Sequence, residues 1–539
     1  MYVDVAKIKG KNKVYTRTLL RTSYWDKGKV KHKTIANLSS CTKEEVAAIK
    51  FALKNKKNWN GEIKFSNKMT QGLSIGAVFA LKEIAKRVGI KQVLTNNKEG
   101  TLALWQIIAR IIGQGSRLSA VRLGMQHAVC DILNVDNFNE EDLYANLDWI
   151  ADNQEQIEDA LFREKQSQRA VDLFLYDVTS SYCEGIKNEL AEYGYSRDGK
   201  KGKKQIVIGL LTDVEGDPVS VEVYRGNTND HKTFLNQVKK SANRFQIKRV
   251  IFVGDGGMIK NENIENLPQD FFYITAITKP QIRKLINEEV LQYELFDINI
   301  GEIEKQGVRY IFRKNPTRAK EIECSKRSKL KKVSELVMKK NKFLERSKRA
   351  KVDIALKHIQ EKLKQLNIDT WVSAEFQERK IILRYNEEKL KKLSKLDGCY
   401  AIKTNVPKDM PSEIIHERYK DLAGVEQAFR TMKTGHLEVH PYYVRKEERT
   451  KAHVFIVMLG YKIIRYLKNA WRDFNITVEE GIRELSSICS MQMEDNCQVI
   501  PEPRSLSIKL LKTLKIILPE VLPSKGVKLA TRKKLQKAK

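Results

Sequence analysis

Tyr419, Glu426 and Lys433 stand seven residues apart each time in the stretch Tyr419-Lys-Asp-Leu-Ala-Gly-Val-Glu426-Gln-Ala-Phe-Arg430-Thr-Met-Lys433. Seven residues make about two helical turns, so in a helix all three line one face. Leu422, Val425, Phe429 and Met432 recur at three- and four-residue steps and supply the buried stripe that such a helix needs. A phenol, a carboxylate and an ammonium in one row suit a metal-bound phosphate. A solvated helix face with one charged pair has the same spacing, so this stretch alone does not decide.

Two aspartates upstream extend the chemistry. Val171-Asp-Leu-Phe-Leu-Tyr176 is mostly apolar and reads as a buried strand delivering Asp177 into Val178-Thr-Ser-Ser181. Arg249-Val-Ile-Phe-Val-Gly254 reads as a second strand delivering Asp255 into Gly256-Gly257. A carboxylate at the end of a core strand, followed by small residues, leaves room for a metal and a substrate backbone. Two such aspartates and a helix glutamate form an all-oxygen donor set, which suits hard Mg²⁺.

These residues resemble the catalytic carboxylates of the DDE transposases of bacterial insertion sequences. The helix resembles the subgroup signature Tyr-x2-Arg-x3-Glu-x6-Lys, with Tyr419, Glu426 and Lys433 in place and Leu422 in the arginine slot. Four further stretches are similar to this family: Tyr176-Asp-Val-Thr-Ser-Ser-Tyr182, Gly226-Asn-Thr-Asn-Asp230, Gly254-Asp-Gly-Gly-Met258 and Phe429-Arg-Thr-Met-Lys433. The resemblance runs from Val171 to Tyr466. It implies that Asp177, Asp255 and Glu426 are the catalytic residues and hold two Mg²⁺ ions, for which Mn²⁺ can substitute. It implies that Tyr419 and Lys433 hold DNA phosphates. Arg430, one turn beyond Glu426, fits either a partial substitute for the missing arginine or an ordinary surface residue. The implied partner is double-stranded DNA, both the element's terminal inverted repeats and the target. A homodimer or larger synaptic complex is implied as well.

Composition points the same way. The chain of 539 residues is too long for one core. It carries 99 basic and 67 acidic residues, a net charge of +32, with a pI near 9.6. That excess is spread along the chain and favours a polyanionic partner over a membrane. A glycosidase built on two of the carboxylates is disfavoured by this charge. The cysteines, Cys41, Cys130, Cys183, Cys324, Cys399, Cys489 and Cys497, include no C-x2-C pair, which argues against structural zinc. Their wide spacing suits reduced thiols in a cytoplasm; the resemblance implies a prokaryotic one, with the protein associated with the nucleoid. No apolar run approaches the roughly 18 residues of a membrane span, and Met1-Tyr-Val-Asp-Val-Ala-Lys7 does not read as a signal peptide.

The elements that must position these residues follow in order. Residues 1–42 read as a basic strand-rich module, a hairpin turning at Lys9-Gly-Lys11 with a third strand after Gly28. DNA contact, a dimer contact and a cap on the next domain all fit it. Residues 43–165 read as helical, a candidate DNA-binding domain carrying Arg110, Arg117 and Arg122; plain helical packing fits equally. Ser119 is the expected N-cap of one of its helices. Residues 166–285 match the first part of an RNase H-like core, three strands and a helix and then alternating strands and helices. Its loop Gly194-Tyr-Ser-Arg-Asp-Gly-Lys-Lys-Gly-Lys-Lys204 offers Arg197 and Lys204 as DNA contacts, or is a solvated hairpin loop. About 170 residues separate Asp255 from Glu426, so residues 286–398 read as an inserted domain. Its strands are expected at 307–313, 370–376 and 380–385, around a basic helical stretch from Arg318 to Leu366. Residues 399–470 return to the core with the Glu426 helix, where His453 reads as structural. Residues 471–539 read as a C-terminal helical region ending in a basic tail from Lys525.

The expected fold class is α/β: an RNase H-like core interrupted by an insertion domain, with an N-terminal basic β-hairpin, a helical domain and a C-terminal helical and basic tail. The expected function is a transposase that cuts DNA at element ends and joins it to a target. An RNase H-like nuclease without strand transfer, and a non-catalytic DNA-binding protein derived from a transposase, are the alternatives.

Overall fold

A computed structural model of the chain describes residues 1–9, 14–54, 70–168, 172–200, 202–245, 250–259, 264–296, 300–347, 349–435, 437–440, 442–492 and 498–531. The expected turn at Gly10-Lys11 and the end of the basic tail lie outside these residues. The chain divides into two compact units, Met1–Met69 and Thr70–Lys539.

The first unit is a three-stranded antiparallel sheet of β1 (Tyr2–Lys9), β2 (Val14–Asp26) and β3 (Lys29–Asn37), followed by helix α1 (Lys43–Lys54). Arg21 donates to Asp4 at 2.8 Å across the β1–β2 pair.

The second unit begins with a short strand, β4 (Thr70–Ser74), and then helices α2 (Gly76–Arg87), α3 (Ile90–Val93), α4 (Lys98–Gly113), α5 (Arg117–Gln126), α6 (Val129–Leu133) and α7 (Glu140–Gln168). The strand was not expected in this helical stretch. Its partner is β15 (Cys489–Gln492), more than four hundred residues on. Helix α5 is capped by Ser116, not Ser119: the Ser116 hydroxyl accepts from the Ser119 amide at 3.2 Å, so the helix begins at Arg117.

Next come β5 (Leu173–Tyr182), β6 (Gln205–Asp213), β7 (Pro218–Arg225), α8 (Asp230–Asn243), β8 (Val250–Gly254), β9 (Phe271–Ile277) and α9 (Lys279–Asn287). The chain continues through β10 (Gly301–Lys305), β11 (Val308–Lys314), α10 (Pro316–Arg346), α11 (Val352–Gln365), β12 (Val372–Gln377), β13 (Lys380–Tyr385) and α12 (Glu387–Ser394). It closes with β14 (Cys399–Thr404), α13 (Ser412–Lys420), α14 (Leu422–Lys433), α15 (Glu447–Ala470), α16 (Val478–Ser486), β15, β16 (Gln498–Val499), α17 (Ser505–Thr513) and β17 (Val521–Leu522).

One eight-stranded mixed sheet organises this unit, in the order β10-β11-β14-β9-β8-β5-β6-β7. Strands β5, β6 and β7 form an antiparallel meander, while β5, β8 and β9 run parallel. The strands β10 and β11, from the stretch expected to be inserted, pair onto β14 and belong to this sheet. The helices α10 and α11 and the β12–β13 hairpin have their own small core, with Val333, Ile359, Leu363, Trp371 and Ile381 buried. The basic helical stretch is therefore two helices, broken between Arg346 and Val352.

Alternation along β5 assigns its faces. Leu173 and Leu175 join one core, with helical residues such as Trp105, Val425, Phe429 and Phe455. Phe174, Tyr176 and Val178 join the opposite core, with Phe234 and Val238 of α8. Side chains on a strand alternate with a period of two, so Asp177 shares the face of Leu173 and Leu175. The same count on β8 puts Ile251 and Val253 in the first core and Phe252 in the second. Asp255 follows Ile251 and Val253 onto the face of Asp177.

Helix α7 is pinned to the sheet edge through a buried charge. Glu158, fully buried, accepts from Lys240 Nζ at 2.8 Å, from the Val221 amide at 3.2 Å and from the Ser220 hydroxyl at 3.2 Å. Breaking a buried pair by removing one partner strands the other charge, at a cost of about 3–5 kcal/mol. Glu158→Leu should lower the thermal unfolding midpoint clearly. An unchanged midpoint would mean that Lys240 is adequately served by Glu222, 2.6 Å away.

Candidate active site

Asp177 lies within β5 and not at its end. The antiparallel partner β6 pairs with β5 as far as Tyr182 opposite Gln205, so backbone hydrogen bonding carries the strand five residues past the aspartate. The parallel register pairs Leu173 with Ile251 and Leu175 with Val253. The pairing ends there, and Asp255 follows the last residue of β8; continued two residues, the register leads from Asp177 towards Asp255, and the Asp177 carboxyl feels the Asp255 charge. Each carboxylate accepts from the next residue's amide, at 2.7 Å from Val178 and 2.7 Å from Gly256. Gly256 is required here, because a side-chain carbon would come within 2.4 Å of the Ala276 carbonyl on β9.

Tyr419, Glu426 and Lys433 do not share one helix. The helical run breaks at Asp421, giving α13 with Tyr419 near its end and α14 with Glu426 and Lys433. At the break the Gly424 amide donates to Asp421 O at 2.8 Å, a three-residue step in place of the four-residue ladder. The apolar stripe of α14 is as spaced: Val425, Phe429 and Met432 are buried, joined by Ala428. Each fully buried side chain of this size contributes roughly 1.5–3 kcal/mol, which fixes α14 on the sheet face that bears the two aspartates. Glu426 then lies on the exposed side of α14. Leu422, in the signature's arginine slot, packs half-buried against the core and offers no charge to a ligand.

The electrostatics tie the set together. Burial, and then the neighbouring carboxylates of Glu426 and Asp255, push the Asp177 carboxyl up to about 7. Tyr419 is pushed up to about 12, first by burial and then by Asp255, Glu426 and Asp177. One phenol therefore senses all three acids. Among the described residues, however, no three His, Cys, Asp or Glu side chains are gathered as a closed metal-binding group. Both observations hold if the three acids share a region without closing on a single point. The donors are all hard oxygens and no cation compensates Asp177 fully, so the set fits divalent ions of the Mg²⁺ kind.

The basic residues are already engaged. Lys433 donates to Asp198 at 2.6 Å, and both side chains are largely buried, 15% and 17% exposed. Burial lowers the Lys433 ammonium, and Asp198 opposes that shift. Arg197 pairs with Asp230, while its amide donates to the Ser180 hydroxyl at 2.8 Å. The loop before β6 is thereby fastened to β5, and the Tyr182 amide donates to Asp198 at 3.3 Å. Lys204 is half-buried with its ammonium 5.8 Å from the Tyr193 ring centre. Arg430 is exposed on α14. The loop is basic in sequence, and the acids that balance it find their partners only in the fold. Asp198 and Asp230 were visible, but their partners lie 235 and 33 residues away.

Residues 169–462 match the transposase DDE domain family, and residues 3–64 match the N-terminal domain of IS1634 family transposases. The chain belongs to the DDE transposases of insertion sequences. No curated protein matches it. The family domain of this transposase runs from the loop before β5 to α15 and so contains both aspartates and Glu426. The mixed α/β architecture agrees with that assignment. No helix among the described residues of the transposase is long and apolar enough to cross a membrane.

Proposed function

We propose that Asp177, Asp255 and Glu426 are the catalytic carboxylates of a two-metal-ion DNA cleavage and strand-transfer site. The observation that carries this is the shared sheet face. The β5–β8 pairing runs to within two residues of Asp177 and Asp255, and Asp177 responds to the charges of both other acids, which supports a common site. The sheet order β7-β6-β5-β8-β9, a meander followed by parallel strands, supports an RNase H-like core.

The three carboxylates would hold two Mg²⁺ ions, or Mn²⁺ in their place. Bound ions supply Lewis-acid polarisation of the scissile phosphate and charge neutralisation around it. The protein's share is position and charge. Strands β5 and β8 fix the aspartates, while the stripe of α14 fixes Glu426 against them. Tyr419 is protonated at neutral pH and donates to a phosphate oxygen next to the acids. Lys433 and the exposed Arg430 neutralise the flanking backbone, with Arg197 and Lys204 behind them. Held in line, nucleophile and phosphate react with little further reorganisation. The substrates are double-stranded DNA, the element's terminal inverted repeats and then the target. The working form is a homodimer or larger synaptic complex in a prokaryotic cytoplasm.

The test is cleavage of a duplex carrying the element's ends, followed on a denaturing gel. Strand scission should require Mg²⁺ or Mn²⁺ and disappear with a chelator. Asp177→Asn, which keeps the shape and the Val178 contact but not the charge, should be as inactive as the chelated parent. Cutting by Asp177→Asn at the parental rate would remove β5 from the site.

A further inference from the structure

The helical layer holds two buried guanidinium groups that pair with no acid among the described residues. Arg110, on α4, and Arg117, which opens α5, are 2% and 5% exposed. Arg117 is served by the Gln106 carbonyl and by His453 Nδ1 at 3.1 Å. Arg110 is not. Among the described residues its Nε has no partner, and its Nη1 reaches only the Gly115 carbonyl at 3.3 Å. Its Nη2 faces His453 Nε2 at 3.0 Å, yet that same nitrogen lies 2.9 Å from the Val439 carbonyl.

Proton accounting sharpens the point. Burial and the two arginines hold His453 well below its ordinary range, so it is neutral. A neutral imidazole has one N–H and one acceptor nitrogen. The Val439 carbonyl requires the N–H on Nε2, which leaves Nδ1 to accept from Arg117. Arg110 Nη2 then points at a donor. A buried cation is left with two unsatisfied directions next to a second cation, and each such loss costs on the scale of a broken buried hydrogen bond or more. Among the described residues neither arginine has a carboxylate in ion-pair contact. Glu438 acts on Arg110 only at a distance and is exposed.

Both guanidinium groups line a small cleft together with Gly113, Gly115, Ser119 and Leu123. The space for the centre of a water-sized particle is about 10 Å³, enough for one oxygen atom to enter. A whole nucleotide does not fit. We propose that this cleft is an oxyanion-binding site in which one phosphate oxygen enters between Gly113 and Gly115 to meet Arg110. Two sources share that chemistry: the backbone of bound DNA, which rests on the transposase reading above, and free inorganic phosphate, which does not.

The experiment compares the full-length parent with Ser119→Asp, which puts a carboxylate into the lining of the cleft as a built-in anion. Inorganic phosphate is titrated at constant ionic strength while the thermal unfolding midpoint is followed. The parent midpoint should rise and saturate, and Ser119→Asp should lose that response. General salting effects act on both proteins alike and cancel, and an acid near the start of α5 changes the baseline but not the response. If Ser119→Asp does not fold, Arg110→Gln serves, with the same expected loss. A random-sequence duplex then assigns the source. If DNA supplies the phosphate, Ser119→Asp weakens duplex binding and lowers the log–log salt slope by about one; if free phosphate does, duplex binding is unchanged. A parent midpoint without a saturating phosphate response, or a variant that responds as the parent does, overturns the site whatever the cleavage assays show.

Discussion

Glu426→Gln should bind end DNA as the parent does and cut it at least about a hundredfold more slowly, on the scale of losing one essential preorganised charge. The substitution keeps side-chain size and a comparable helix propensity, and Glu426 lies on the exposed side of α14, so the packing of Val425, Phe429 and Met432 is untouched. What it removes is a hard, charged oxygen donor, which a divalent ion prefers to an amide. It also removes one of the charges that push Asp177 up, so the neighbouring acid ionises more readily. Less negative charge near a polyanion does not weaken binding. Parallel gel-shift and cleavage assays measure both halves. Cleavage by Glu426→Gln at close to the parental rate would show that α14 is not the catalytic helix.

Lys433→Ala should fail in the opposite way. It leaves the three acids in place and removes a cation that the fold holds ready beside them. Charge-assisted hydrogen bonds are worth about 1.5–3 kcal/mol, so affinity for end DNA should fall by roughly one to two orders of magnitude. The log–log salt slope should fall by about one. The ion pair with Asp198 sets a condition on this: the phosphate must take Lys433 from a carboxylate at 2.6 Å. Asp198→Asn weakens that competitor and should therefore bind end DNA more tightly than the parent. If Lys433→Ala keeps parental affinity while Asp198→Asn loses it, the pair is a structural clasp between the loop before β6 and α14, and Lys433 makes no phosphate contact.

Much of this protein follows from local sequence. The stripe Val425, Phe429 and Met432 has helical spacing, and a helix forms there because burying those side chains is the strongest local driving force. The runs containing Asp177 and Asp255 are apolar enough to form central strands, as β5 and β8 do. The family resemblance rests on the same residues. Boundaries were less legible. Asp177 looked like a strand end because the apolar run stops there, but β6 supplies hydrogen bonds to the small, buried Thr179, Ser180 and Ser181, and the strand continues. Tyr419 fitted the helical count, but one three-residue step at Asp421 divides the helix.

What only the tertiary structure decided is non-local. Strand β4 needs β15, and the helices before the sheet share one core with those after it, so cutting the chain into consecutive domains misses that body. The charge balance was hidden for the same reason. A basic loop looked like free cation, yet Asp198 holds Lys433 and Asp230 holds Arg197. Arg110 and Arg117 stood out in sequence only as basic residues of a helical stretch, and their burial beside His453 was not legible, because a buried arginine and a solvated one read alike until the chain folds. Local spacing determines which residues form a helix or strand, since that depends on near neighbours. Which charges meet, and which are left unmet, depends on contacts between residues hundreds apart, and those are fixed only when the sheet and its helical layer come together.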